Sequence, residues 1–216
     1  MKNLLYKEWK LAMHPTTFIF LSFGLMLLIP NYPSYVAMMY MCLSIFFVFL
    51  NGRENKDIFF TVTLPIRKRD VVKSRCLMVA AIELAQLLIT VPFAILSLKL
   101  YASIGNQTGI EPNVAFYGLA LGMFAVFNVV FIPNFYKTAY KIGIPFLMAG
   151  AAALVYYAAA ELMVWIPGPL QTFLDTSDPA MAFAHLPILF VGILVWVLSI
   201  VFAYRRGAAR FENVDL

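Results

Sequence analysis

Asn51-Gly52-Arg53-Glu54-Asn55-Lys56-Asp57-Ile58-Phe59-Phe60-Thr61-Val62-Thr63-Leu64-Pro65-Ile66-Arg67-Lys68-Arg69-Asp70-Val71-Val72-Lys73-Ser74-Arg75 separates two long apolar runs, and it carries seven of the chain's sixteen lysines and arginines. Lys2, Lys7 and Lys10 precede the first apolar run, Lys137 and Lys141 sit between two later ones, and Arg205, Arg206 and Arg210 follow the last. Only Lys99 lies toward the opposite face, where its long stem can snorkel to the interface. Loops kept on the cytoplasmic side of a membrane retain Lys and Arg, whereas translocated loops lose them. This segregation puts residues 51–75 and both termini on the cytoplasmic side.

The runs are long enough to cross a bilayer. Of 216 residues, 62% are hydrophobic and 12% charged, the balance of an integral membrane protein. A helical span takes about 20 mostly apolar residues. We expect an all-α membrane protein, a single transmembrane domain over 1–216, with six spans at 16–33, 34–50, 76–101, 114–135, 142–165 and 186–204. The first two are short and divided by Pro30-Asn31-Tyr32-Pro33. Residues 1–15 read instead as an amphipathic helix lying in the interface. Leu4, Leu5, Trp9, Ala12 and Met13 recur at helical spacing, Lys2, Lys7, Glu8 and Lys10 take the other side, and Trp9 is the headgroup-level anchor. Pro15 then breaks the helix, giving an elbow. Residues 205–216 form a cytoplasmic tail.

Other classes lack their residues. The net charge of +5 sits in membrane-flanking segments, where topology and anionic lipid account for it without nucleic acid. No small-residue cleavage site follows the first apolar run, so it does not read as a signal peptide. Cys42 and Cys76 lie in or beside spans and imply no disulfide framework. His14 and His185 fall on opposite sides, so neither a zinc site nor a histidine acid–base pair can form from them. No Gly-x-x-x-x-Gly-Lys-Ser/Thr run is present. We therefore expect no catalytic residue, metal or cofactor in this chain, and any ATP and Mg would be bound by another polypeptide.

Twenty-five residues are too many for a structureless link between helices. Asn51-Gly52 is expected to stop the second span. Residues 54–63 then read as a short helix with Ile58, Phe59 and Val62 on one face, ended by Leu64-Pro65. Arg67-Lys68-Arg69 restarts the chain into the third span. On the other side, Asp178-Pro179 offers a helix cap followed by proline at the first helical position. Within the spans, Glu83, Gln86 and Thr90 follow i, i+3, i+7 and form one polar stripe, a candidate translocation path. An inter-helix hydrogen bond explains that stripe equally well. Glu161 is read as interfacial, reaching outer headgroups, and Asn128 as a tie between helices. Gly118 and Gly122 form a small-xxx-small pair, as consistent with packing inside one chain as between two. The twenty Phe, eleven Tyr and three Trp suit apolar cargo, and equally lipid-facing filler and interface belts.

Glu54-Asn55-Lys56-Asp57 followed by Leu64-Pro65-Ile66-Arg67-Lys68-Arg69-Asp70-Val71-Val72-Lys73-Ser74-Arg75 resembles the permease subunits of type-2 ATP-binding-cassette (ABC) exporters, in the small bacterial six-span branch. Elbow, spans, long second loop and the tail Arg210-Phe211-Glu212-Asn213-Val214-Asp215-Leu216 share the likeness. Arg67 departs from the serine common there, and Arg75 follows a lysine that usually leads directly into the span. The resemblance implies that residues 54–63 are a coupling helix docking into a cytosolic ABC ATPase, with Ile58, Phe59 and Val62 in its cleft and Glu54, Asp57 and Arg67 as charged rim contacts. It further implies a second permease copy or paralogue, residence in the bacterial cytoplasmic membrane, and export of an amphipathic cargo such as a peptide or antibiotic. An interfacial helix resting its aromatics in lipid is the plainer reading of residues 54–63. The rival functions are an ion-coupled secondary transporter using Glu83 or Glu161, an integral-membrane enzyme, and a regulatory membrane subunit.

Overall fold

Residues 2–101 and 108–214 are described by a computed structural model, and every regular element among them is helical. Residues 102–107 of the first outer loop, and Asp215-Leu216 of the closing motif, lie outside the described residues.

The chain begins with α1 (Lys2–Lys7), which widens into a π-helical turn, Glu8–Ala12. Met13 is extended and Pro15 sits at the start of α2 (Thr16–Ser22), where its missing N–H and fixed φ suit a helix N-terminus. The two segments meet at 87°. A 3-10 turn, Phe23–Leu28, continues α2. Seven α-helical and six 3-10 residues rise about 22 Å, less than the ~30 Å of hydrocarbon. The expected first span to residue 33 is therefore cut short: Ile29 turns extended, and the Pro30–Pro33 segment leads into the next helix. Among the described residues, five helices are long and apolar enough to cross a membrane alone, or up to six if the bent N-terminal pair counts as one.

Those five are α3 (Ser34–Glu54), α5 (Lys68–Leu100), α6 (Val114–Phe135), α7 (Gly143–Trp165) and α9 (Ala182–Glu212), with the short α4 (Asp57–Val62) and α8 (Pro169–Leu174) between them. Several helices outrun their apolar cores. Asn51-Gly52 does not stop α3, which continues to Glu54. α5 begins at Lys68 rather than at residue 76, and α9 carries helix through Arg205–Glu212, where a tail was expected. At 33 and 31 residues these two helices are about 50 and 46 Å long, well beyond the hydrocarbon. Their basic ends project together: Arg69 pairs with Glu212, and Lys68 Nζ donates to the Val214 carbonyl at 2.7 Å. At the other end, Asn113 caps α6 by accepting from Phe116 N at 3.1 Å. Asp178 caps a single 3-10 turn, Pro179–Met181, that runs into α9 rather than forming a separate helix.

α6 is the central helix, with Phe116, Phe124, Phe127 and Phe131 fully covered. Phe49 of α3 meets Phe131 and Phe135 edge-on at 4.9 and 4.7 Å. Against α9 the backbones touch. A Cβ on Gly118 would lie 2.6 Å from the Ile188 carbonyl oxygen, and one on Gly192 would run into the Gly118 carbonyl. Gly122 is closed off by Tyr156 of α7. The small-residue pair thus serves packing inside one chain. Because backbone cannot move aside as a flexible side chain can, Gly192→Ala should cost about 1–3 kcal/mol, read as a lower melting temperature in detergent. The outward faces of α5, α7 and α9 are apolar, with Leu88, Val155 and Phe190 largely exposed. Lipid matches such a surface as water does not.

Candidate functional site

The basic end of the bundle holds a buried cluster of four charges from three elements. Leu4, Glu8 and Ala12 share one helical face, and that face is buried. Glu8 is therefore buried and Lys7 half-buried, although the amphipathic pattern put both on a solvated side. Of that side Lys10 stays exposed, together with Tyr6, Leu11 and Trp9, the last at 51%. Glu8 pairs with Arg75 of α5, which also pairs with Asp57 of α4. Lys7 completes the set, 2.8 Å from Asp57 and 3.1 Å from Glu8. Two cations and two anions leave no net charge. That balance is what allows burial, since the desolvation cost of each ion is offset only by close opposite partners.

Neutral groups hold the cluster on every side. Lys7 Nζ donates to Thr61 Oγ1 at 3.0 Å, Thr61 Oγ1 to the Asp57 carbonyl at 2.7 Å, and Ser74 Oγ to Glu8 at 3.4 Å. The Arg75 guanidinium lies 5.2 Å from the centre of the Phe49 ring, a cation–π contact with α3. Gly52 makes room for it: a Cβ there would come within 3.0 Å of Arg75 Nη1. Asn51 Nδ2 donates to the carbonyls of Leu11 and Ala12 at 3.2 and 3.3 Å. Asn51-Gly52 thus caps the N-terminal helix and admits Arg75, and does not end α3.

α4 is pinned from beneath by this cluster. Lys56 adopts φ 50°, the left-handed region, to reverse the chain after α3, so the helix starts at Asp57 and not at residue 54. Asp57 and Ile58 face inward and are buried, and Val62 packs against the core. Asp57 and Ile58 are thus not free to meet a partner as the sequence suggested, and Val62 is left half-buried. The open face carries Phe59 and Phe60, 41% and 57% exposed, with Leu64 beside them. Around it, Glu54 is paired with Arg53 and Arg67 with Asp70 at 2.9 Å. Both remain on the surface, unlike Asp57.

The polar stripe of α5 is enclosed. Glu83 accepts hydrogen bonds from Asn128 Nδ2 of α6 at 2.9 Å and Trp196 Nε1 of α9 at 2.7 Å. Gln86 donates to the Ala37 carbonyl at 3.4 Å, and Thr90 Oγ1 bonds to Leu87 O at 2.8 Å and lies 3.3 Å from Tyr117 Oη. All three are fully buried within the chain and tie α5 to α3, α6 and α9. Glu161 is buried with its carboxylate against Gly109, rather than reaching out to headgroups. Glu83→Gln keeps one acceptor oxygen, which at the Oε2 position lies within reach of both Asn128 and Trp196, so it should leave stability within about 1 kcal/mol. Glu83→Leu strands two buried donors and should cost about 2–4 kcal/mol. Thermal unfolding of the two variants in detergent checks the contrast.

Sequence reading missed Lys7, Glu8 and Arg75 as site residues. The i, i+4, i+8 register of Glu8 with Leu4 and Ala12 was the available signal for one of them.

These features define a polytopic helical membrane protein with a charged, aromatic-tipped protrusion at one end. The family model for ABC-2 family transporter proteins matches residues 3–206, and the chain belongs to that family. Its members are membrane permease subunits of ABC transporters. No curated protein and no solved structure matches the chain.

Proposed function

We propose that this chain is the permease subunit of an ATP-driven exporter, and that its motor is a separate cytosolic ATPase seated on α4. The observation that carries the reading is the exposed Phe59–Phe60 tip on a helix whose opposite face is fixed by Asp57, Arg75, Glu8 and Lys7. Adjacent exposed aromatics on a rigid mount suit a partner's apolar groove. Glu54 and Arg67 on the rim would set orientation more than affinity. Because α4 and the N-terminal helix share a buried salt-bridge cluster, a push on α4 reaches α5 and the elbow together.

Two such permeases, identical or paralogous, would enclose the path, with ATP and Mg on the ATPase pair. The basic-residue distribution supports placing α4 and both termini in the cytoplasm of a bacterial cell, with the bundle in its cytoplasmic membrane. The cargo would be amphipathic, a peptide or antibiotic. An ion-coupled carrier using Glu83 is less well supported, since its carboxylate is spent on Asn128 and Trp196. A tagged chain purified from its own cells should bring down a polypeptide with a phosphate-cradling glycine-rich loop, and efflux should require ATP. Recovery of the chain without an ATPase, with efflux driven by an ion gradient, would contradict the proposal.

A further inference from the structure

At the end of the bundle remote from α4, the last turns of α5 and the start of α9 border an open cleft of about 550 Å³, with Lys99 and Asp178 exposed at its rim. Its polar lining is unusual for this molecule. Lys99, the one cation toward this end of the bundle, lines it and makes no ion pair among the described residues. His185 lines it too, almost fully buried. Its Nε2 lies 2.6 Å from the Phe173 carbonyl and so carries the proton in that bond, which leaves Nδ1 buried with no partner among the described residues. Asp178 supplies the opposite charge. One of its oxygens accepts from Ala180 N at 2.9 Å, and no cation of the described chain is paired with it.

Below this head the cavity continues into an apolar groove of about 460 Å³, which shares Ile95, Leu98, Asn113 and Val114 with it. Leu84, Leu88 and Val91 of α5 form one wall, and Leu189 and Ile193 of α9 the other. From Leu98 to Leu84 the groove follows α5 for about 21 Å, enough to take an acyl chain through one leaflet of a ~30 Å hydrocarbon core.

We propose that this composite cleft is a binding site for one phospholipid with an ammonium head, a phosphatidylethanolamine type. The lipid phosphate would sit at Lys99, at the rim of the cleft. The ammonium would sit at Asp178 and one acyl chain between α5 and α9. Both charges of the head then meet an opposite charge, which neither a purely anionic lipid nor an uncharged amphiphile achieves. The site is distinct from α4 and does not depend on the ATPase reading.

The test uses the full chain, reconstituted in vesicles of equal dioleoyl phosphatidylethanolamine and dioleoyl phosphatidylglycerol. It is then extracted in detergent, and the lipid that stays bound is counted by mass spectrometry. The wild type should retain one phosphatidylethanolamine per chain, about fivefold over phosphatidylglycerol. Lys99→Gln should lower retention of both lipids about fivefold or more, because both carry the phosphate. Asp178→Asn keeps the helix cap and should keep total retention while erasing the preference. Equal retention of the two lipids by the wild type, a preference for phosphatidylglycerol, or full retention by Lys99→Gln would each overturn the proposal.

Discussion

Arg75→Ala should lower the stability of the folded chain by about 3–5 kcal/mol, the range for removing one partner from a buried ion cluster. It would leave Glu8 and Asp57 enclosed with Lys7 as their one remaining cation. The loss is not confined to one contact, because Arg75 joins the N-terminal segment, α4 and α5 at once. Arg75→Lys keeps the charge but gives up the planar fork that reaches two carboxylates on different elements, so it should recover only part of the loss. Thermal unfolding in detergent, with expression level as a second measure, ranks the three proteins. Wild-type stability for Arg75→Ala would mean the cluster is not closed to water.

Phe59→Ser with Phe60→Ser should do the opposite, sparing the fold and removing the partner. Both rings are substantially exposed and the mount beneath them is untouched, so melting should be unchanged or slightly raised. Buried aromatic anchors at interfaces each contribute about 2 kcal/mol or more. Losing both should weaken ATPase association about a thousandfold, and ATP-dependent efflux with it. Titrating purified ATPase onto immobilised permease measures this. Loss of folding together with binding would show that the two rings belong to the core instead.

The membrane class was readable from the chain because charge is excluded from hydrocarbon over helix-long stretches. Helix ends were not. Hydropathy marks where lipid stops, whereas Lys, Arg, Glu and Ala are good helix formers on either side of that boundary. α5 therefore starts eight residues before its apolar run, and α9 continues through Arg205-Arg206 to Glu212. The same blindness hid the charge cluster. Lys7 and Glu8 look like a solvated face until Asp57 and Arg75, about fifty and seventy residues on, arrive against them. Pairing at that distance has no periodicity to betray it. On α4 the apolar pattern picked Ile58 and Val62 along with Phe59, but a six-residue helix offers too little length to tell which side meets the core. Folding turns Ile58 inward and leaves Phe60 out. The stripe of Glu83, Gln86 and Thr90 was legible as a stripe, and its enclosure required the donors on α3, α6 and α9.

Cysteine placed at position 60 tests the central claim most directly. The two native cysteines, Cys42 and Cys76, are buried, so Phe60→Cys offers one reactive thiol to a membrane-impermeant maleimide. A cytoplasmic α4 that receives an ATPase predicts labelling in inside-out vesicles stripped of the partner, protection when the ATPase is restored, and no labelling of intact cells. Labelling of intact cells, or equal labelling with and without the ATPase, would contradict it.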